Sequence, residues 1–446
     1  MDYLALARVM KQENKDIKIS EDLTAKKLKF YAQAFNLTET ELLKMMKRVP
    51  VLLTYDVESE EATSVKAKIK FYKQTFNLTD EELAKMVKSF PALLNGDVVS
   101  EGATAVKAKI SFYKKALKVT DAELSKMVKV LPSLLSFDVV SEGPTSAKTK
   151  LNFYRQTFNL TDVELKNMIK GFPALLNCDV ESEGPKSIKA KIKFYKQTFN
   201  LTDEEFSKMV KILPNLLTYD TESEGPTSIK AKIKFYKQAF NLMDEELSKM
   251  VKVLPTLLNY DVASEGSTSI KAKIKFYKQA FSLTDEELSK MIKRLPQLLG
   301  FDVISNEPTS VKSKVYYLKQ LGITSEQIVR DPLLLSYPAQ RIRFRYMLLS
   351  QFLNDEKILC GQKLMTSEKK LFARLAYFKD NNIQFRPFVL SVDGKIFQKR
   401  FGVSDKELME QYKLDEKSIE EIMTQHNVSH SKKIHLTKDE KAELLS

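Results

Sequence analysis

One phrase constrains this chain more than any other: a proline, one variable residue and two leucines, at Pro50, Pro91, Pro132, Pro173, Pro214, Pro255 and Pro296, each 41 residues after the last. An eighth, looser copy begins at Pro332 after only 36 residues. Self-similarity at this period marks a solenoid, whose units cannot bury their apolar faces alone and must stack on their neighbours. The repeat therefore overrides the prior of two or three globular domains that 446 residues would suggest.

Each unit reads as two helices. In the copy from Ser228, the residues Ile229, Ile233, Tyr236 and Phe240 recur at the spacing of one helical face, and Ala231, Phe235 and Ala239 make a second apolar strip. Both strips are expected to be covered by neighbouring units. Lys230, Lys234 and Lys237 form a third line that must face water or a partner. The second helix opens with a capping box, Thr202 to Glu205 in the fifth unit, with acidic residues in its first turn. Leu247, Met250, Val251 and Leu254 give it one apolar face, and Pro255 should end it because it has no N–H to donate. Thr256, Leu257 and Leu258 then fit a tight turn that drives two leucines into the core. An acidic connector with Gly225 and Pro226 leads to the next unit.

The net charge of +14 is unevenly placed. One row holds Lys66, Lys107, Lys148, Lys189, Lys230, Lys271 and Lys312; a second holds Lys68, Lys109, Lys150, Lys191, Lys232, Lys273 and Lys314; a third holds Lys73, Lys114, Arg155, Lys196, Lys237, Lys278 and Lys319. Stacking in register would turn these into parallel rows of cations, with the acidic connectors forming a separate rim. Such rows are what a phosphate backbone recognises by counterion release. The same pattern also reads as a solvated, helix-favouring face. Tyr72, Tyr113, Tyr154, Tyr195, Tyr236 and Tyr277 sit at the core phase and are expected to pack rather than to stack on bases.

At this point the unit resembles a known family. Two helices ending in a proline with leucines behind it, as in LSKMVKVLPTLL and LSKMIKRLPQLL, are similar to the repeat of the mitochondrial transcription termination factor (mTERF) family, over residues from about 21 to about 345. IRFRYMLLSQFL at 342–353 and FVLSVDGKIFQKRF at 388–401 resemble helices that close plant members. The resemblance implies an all-α solenoid superhelix of two-helix units, each ended by a Pro-x-Leu-Leu 3₁₀ turn. It also implies binding of double-stranded DNA or structured RNA along a basic concave groove, in transcription termination or in RNA or ribosome processing, and a mitochondrial or chloroplast location. The near-identity of the units predicts backbone-dominated contact with weak sequence selectivity. One neutralised phosphate per unit would give a log-log salt slope on the order of −6.

Beyond the array, Arg330, Arg341, Arg343 and Arg345 cluster in RDPLLLSYPAQRIRFRY. Arginine's planar fork suits phosphate or guanine, which makes this a candidate for tight contact. Alternatively, Arg341 and Arg345, one helical turn apart, bridge to carboxylates and cap the array. The chain is expected to divide into an N-terminal cap (1–20), about eight repeats (21–340), capping helices (341–425) and a mobile tail (426–446). Helices are expected at 368–383 and, after Ser404, at 401–412.

Several classes are disfavoured. Cys178 and Cys360 have neither metal nor redox spacing, which fits a reducing compartment. His426, His430 and His435 are the only histidines, all near the C-terminus, so no His-based triad forms within the repeats and a metal site there is not favoured. No phosphate loop or HExxH is present, and no cofactor is expected. The leucines of LPTLL and its relatives match a receptor-binding LxxLL pattern but point to the core. Apolar runs are short and broken by lysines, and the first twenty residues lack a signal core or a transit composition, so a soluble intracellular monomer is expected, with a bacterial cytoplasm or a host cell also open. A protein-interaction scaffold, including a secreted effector, is the alternative use of such a surface.

Overall fold

The computed structural model describes residues 1–13, 18–307, 309–353, 358 and 362–429, and among these the chain is all-α. It forms two compact units, one of residues 1–224 with 228–230 and the other of residues 225–227 with 231–446. The first unit opens with a helix, Tyr3–Glu13, whose Leu6, Ala7 and Met10 are buried. Five repeats follow, with first helices at Glu21–Ala34, Val65–Phe76, Val106–Leu117, Ala147–Thr157 and Ile188–Thr198. Their second helices are Glu39–Arg48, Asp80–Ser89, Asp121–Val130, Asp162–Gly171 and Asp203–Ile212. Each repeat ends in a 3₁₀ turn, as at Pro91–Asn95 and Pro214–Thr218.

The sixth repeat begins with Ile229–Ala239, where the chain passes from one unit to the other. The second unit continues with Asp244–Val253, Ile270–Phe281, Asp285–Arg294, Val311–Gln320 and the shortened Ser325–Arg330, and its turns start at Pro255, Pro296 and Pro332. Ala339–Ser350, Glu368–Asp380, Gly394–Phe401, Asp405–Gln411 and Glu416–Ser429 complete it. The last of these carries residues 426–429 of the expected tail in a helix; residues 430–446, with His430 and His435, lie outside the described residues, as does Cys360.

Local chemistry explains why every repeat folds the same way. Thr79, Thr120, Thr161, Thr202 and Thr284 each accept a backbone N–H three residues on, while the glutamate at that position accepts the threonine's own N–H. This reciprocal cap satisfies two orphan donors of the helix start. Met243 stands where the other repeats have threonine and offers no side-chain cap, although Glu246 still accepts its N–H at 3.0 Å. Met243→Thr is therefore expected to stabilise the protein by about 1 kcal/mol, read as a rise in the urea midpoint of the second unit.

The connector is an ordered element. Asp97 accepts N–H groups from Val99 and Ser100 and the Ser100 hydroxyl, and its own carbonyl takes the N–H of Val106, which opens the next helix. Asp138, Asp179 and Asp261 repeat the arrangement. The serine hydroxyl, together with the backbone donors, holds these carboxyls below their ordinary range.

The two leucines of each turn are buried, and their carbonyls are met from the first helix of the same repeat. Tyr72 donates to Leu93 at 2.8 Å and Tyr195 to Leu216 at 3.1 Å, with five further tyrosines in the same role. One turn earlier, Lys68 donates to Leu94 at 2.7 Å and Lys191 to Leu217 at 2.9 Å. Burying a tyrosine or lysine head costs free energy unless it finds such a partner; the tyrosine adds a second donor to a carbonyl that already takes the N–H closing the turn, such as that of Gly96 on Leu93, and the lysine supplies the next carbonyl. The first helix is thus buried along Ile188, Lys191, Tyr195 and Phe199, whereas the second apolar strip is only half-covered.

Neighbouring repeats are clipped by polar contacts as well. The capping-box glutamate of one repeat accepts from a lysine on the second helix of the next, as in Glu41–Lys88 (3.1 Å), Glu82–Lys129 (2.7 Å), Glu164–Lys211 (2.8 Å) and Glu246–Lys293 (2.8 Å). Ser125, Ser207 and Ser289 donate across the same boundary to the carbonyls of Phe76, Phe158 and Phe240.

Candidate nucleic-acid interface

The three lysine rows have three different fates. The second row faces the core, with Lys109 half-buried on the Leu135 carbonyl and the other six buried. Lys68, Lys150, Lys191, Lys232, Lys273 and Lys314 are buried, and each ammonium is spent on a turn carbonyl. Several also lie against the aromatic ring that follows the preceding turn, Lys68 over Tyr55 at 4.6 Å and Lys273 over Tyr260 at 5.4 Å. The expectation of three parallel exposed rows is corrected on this point. The sequence held the signal, because Lys68 stands one helical turn before the core residue Tyr72 and shares its face.

The first and third rows lie at the surface beside carboxylates of their own repeat. In the first, Lys107 pairs with Glu101 (2.7 Å), Lys148 with Glu142, Lys189 with Glu183 (3.1 Å) and Lys271 with Glu265 (2.7 Å), while Lys66 sits 3.4 Å from Glu60. Lys230 donates to the Glu222 carbonyl and Lys312 to the Asn306 side chain. In the third row, Lys73–Asp80, Arg155–Asp162, Lys196–Asp203, Lys237–Asp244 and Lys278–Asp285 join the first helix to the start of the second at 2.6–3.1 Å. Basic and acidic groups are therefore interleaved along these rows, which corrects the expectation of separate rims. Exposed pairs of this kind contribute roughly 0–1 kcal/mol, so a phosphate can replace the carboxylate at little cost.

Between these two rows, on the same face of the first helix, lies a position that the rows themselves did not single out: Lys29, Lys70, Lys193, Lys234 and Lys275, with Ser111, Asn152 and Tyr316 in the remaining repeats. These five lysines are exposed and make no ion pair among the described residues. Lys70, Lys193, Lys234 and Lys275 each stand at i+4 from a first-row lysine and three before a third-row cation, so a full repeat presents three cations on one helical face with only the outer two locally balanced, whereas Lys29 has Ala25 and Ala32 at those places.

Three members of the arginine cluster are turned inward, and Arg330 stays exposed. Arg345 is buried, its Nε and Nη2 donating to Glu368 at 2.9 and 2.8 Å and its Nη1 to the Leu364 carbonyl, and Arg341 meets the same carboxylate. Arg343 is buried with its guanidinium over the Tyr317 ring, and Arg330 is paired with Asp331. The salt-bridge alternative describes Arg341 and Arg345. Arg345, stacked on Tyr337 and bonded to a turn carbonyl, occupies the place that the buried lysine holds in the repeats.

The inter-repeat glutamates define a pH response. The Thr120 N–H with Lys166 and Lys170 lowers the carboxyl of Glu123 from 4.5 to about 2, and Lys211 with the Thr161 N–H does the same for Glu164. A depressed carboxyl adds stability that is complete above about pH 4.5 and is lost as the pH falls toward 2. The urea midpoint of the first unit is expected to fall over that window, and less steeply in a Lys170→Met/Lys211→Met variant.

Among the described residues, no group of His, Cys, Asp and Glu is placed to hold a metal ion, and no helix is long and apolar enough to cross a membrane. Two-helix units closed by a proline-led 3₁₀ turn, stacked within each compact unit and presenting cations on one helix face, define an α-helical repeat protein. The mTERF family model matches residues 4–124, 35–183, 100–227 and 183–372, and the chain belongs to the mTERF family. No curated protein matches the chain.

Proposed function

We propose that this protein binds double-stranded DNA or structured RNA, chiefly through phosphates, and that it acts in transcription termination or in RNA or ribosome processing. Membership of the mTERF family supports the class. The observation that carries the interface is the unpartnered lysine at the centre of the cationic face, flanked by cations whose carboxylate partners are exposed and exchangeable. Lys29, Lys70, Lys193, Lys234 and Lys275 lead the contact, the first and third rows join it as their carboxylates are displaced, and the buried Arg343 and Arg345 take no part.

The test is titration against labelled duplex DNA, single-stranded DNA and structured RNA between about 50 and 300 mM salt. If only the five free lysines neutralise phosphates, the log-log slope is expected to be about −4 to −5; recruitment of the flanking rows would steepen it. A slope near zero, or no binding at the lowest salt, would sink the reading and turn attention to a protein partner.

A further inference from the structure

One inter-repeat cleft departs from the uniformity of the array. Between the first helices of the third and fourth repeats, Val106–Leu117 and Ala147–Thr157, a cleft of about 470 Å³ is lined by Phe112, Leu151 and Asn152, by the cations Lys115, Lys118, Lys148 and Arg155, and by the carboxylate of Asp162. Its size falls within the range of small-ligand sites. Position 115 is glutamine in the other repeats at Gln74, Gln156, Gln197, Gln238 and Gln279, so the lysine is particular to this boundary.

Lys118 is the more telling departure. It adopts the left-handed conformation, φ 51°, at a helix C-terminus where Asn36, Asn77, Asn159, Asn200 and Asn241 do the same. Asparagine tolerates that backbone and lysine does so only at a cost, so local folding does not explain the lysine. Its ammonium lies 2.8 Å from Asp162, which also holds Arg155 at 3.1 Å, so one carboxylate converges two cations at the mouth of the cleft. Arg155 Nε is buried and has no hydrogen-bond acceptor among the described residues. Lys115 stands exposed, without an ion pair among the described residues. Three cationic heads, one with an unfilled donor, thus lie beside a half-buried aromatic ring, an aliphatic floor and the amide of Asn152.

We infer that this cleft binds a nucleoside monophosphate unit, with the phosphate on Lys115, Lys118 and Arg155, and the base against Phe112 and Leu151 within reach of the Asn152 amide. The amide offers a donor and an acceptor together, as a base edge does, and the cation set matches a phosphate rather than a carboxylate alone. The unit can come from a nucleic-acid strand or from a free nucleotide. The site shares Lys148 and Arg155 with the flanking rows of the extended interface, but none of the five central lysines lines it, and Lys115 and Lys118 belong to neither row.

The experiment is calorimetric titration of the full chain with AMP, ribose 5-phosphate, inorganic phosphate and a short 5′-phosphorylated single strand. The control is Lys115→Gln/Lys118→Asn, which installs the residues of the neighbouring repeats and relieves the left-handed lysine, so its melting temperature should be unchanged or raised. AMP is expected to bind the parent chain at least tenfold more tightly than the double variant, and more tightly than phosphate alone. Equal binding by parent and variant would overturn the site, and phosphate binding as tightly as AMP would overturn the nucleoside part. A preference for the strand over AMP would assign the unit to nucleic acid, and parity would assign it to free nucleotide. A chain that bound AMP here but no long duplex or RNA would overturn the function proposed above and leave this inference standing.

Discussion

Arg374→Met is expected to be the most damaging single change in the second unit, at about 3–5 kcal/mol, because it breaks a buried ion pair and strips several carbonyls of their donor at once. Arg374 is fully buried. Its Nε and Nη2 meet Asp405 at 2.7 and 3.0 Å, and its Nη1 donates to the carbonyls of Val389, Leu390 and Val392 at 2.9–3.1 Å. The guanidinium also lies 4.0 Å from the centre of the Phe397 ring. It ties Glu368–Asp380 to the 3₁₀ turn at Pro387–Leu390 and to the start of Asp405–Gln411. Hydrogen exchange should show amides of residues 368–411 losing protection while those of the second repeat keep theirs. Asp405→Asn, which leaves the carbonyl contacts in place, should cost less. A loss below about 1 kcal/mol for Arg374→Met would mean that the surrounding core, not this side chain, holds the elements together.

The second large effect concerns binding. Changing Lys70, Lys193, Lys234 and Lys275 together to glutamate is expected to weaken nucleic-acid binding by more than about a hundredfold near 100 mM salt and to flatten the salt slope by about 4. These side chains are exposed and make no ion pair among the described residues, so far-ultraviolet circular dichroism and melting temperature should stay close to those of the parent chain. The informative comparison is Lys68, Lys191, Lys232 and Lys273 changed to methionine. That variant should lose stability, because four turn carbonyls lose their donors, and its salt slope should change little if it still folds. If the buried set altered the slope as much as the exposed set, the assignment of roles to the rows would be wrong.

Much of this was legible in the residues. The proline spacing gave the repeat, the Thr-x-x-Glu phrase gave the capping boxes, and the helical phase of Tyr72 and its equivalents gave their burial, all because these signals act within a few residues of backbone. Phase would also have placed Lys68 indoors, had lysine not been read as a surface residue by type. What could not be read was partnership. Glu82 and Lys129 lie 47 residues apart, and nothing local in either says that they meet across a repeat boundary. The arginine cluster shows the same limit. Arg341 and Arg345 present the same sequence whether they face phosphate or Glu368, and only the return of Glu368–Asp380 against Ala339–Ser350 decides it.

The clips between repeats also bear on how such a chain changes over generations. Almost every polar bond in the array links a residue either to its own unit or to the next one at a fixed offset, as Glu41 to Lys88 and Glu246 to Lys293 both do across 47 residues. Removing or duplicating one 41-residue unit would re-form each of these bonds with a neighbour carrying nearly the same side chains. Length can therefore be gained or lost in whole quanta by unequal recombination, with little penalty at the junction. The exception is the boundary that carries Lys115 and Lys118, where loss of a unit would erase a pair of cations that the neighbouring repeats do not carry.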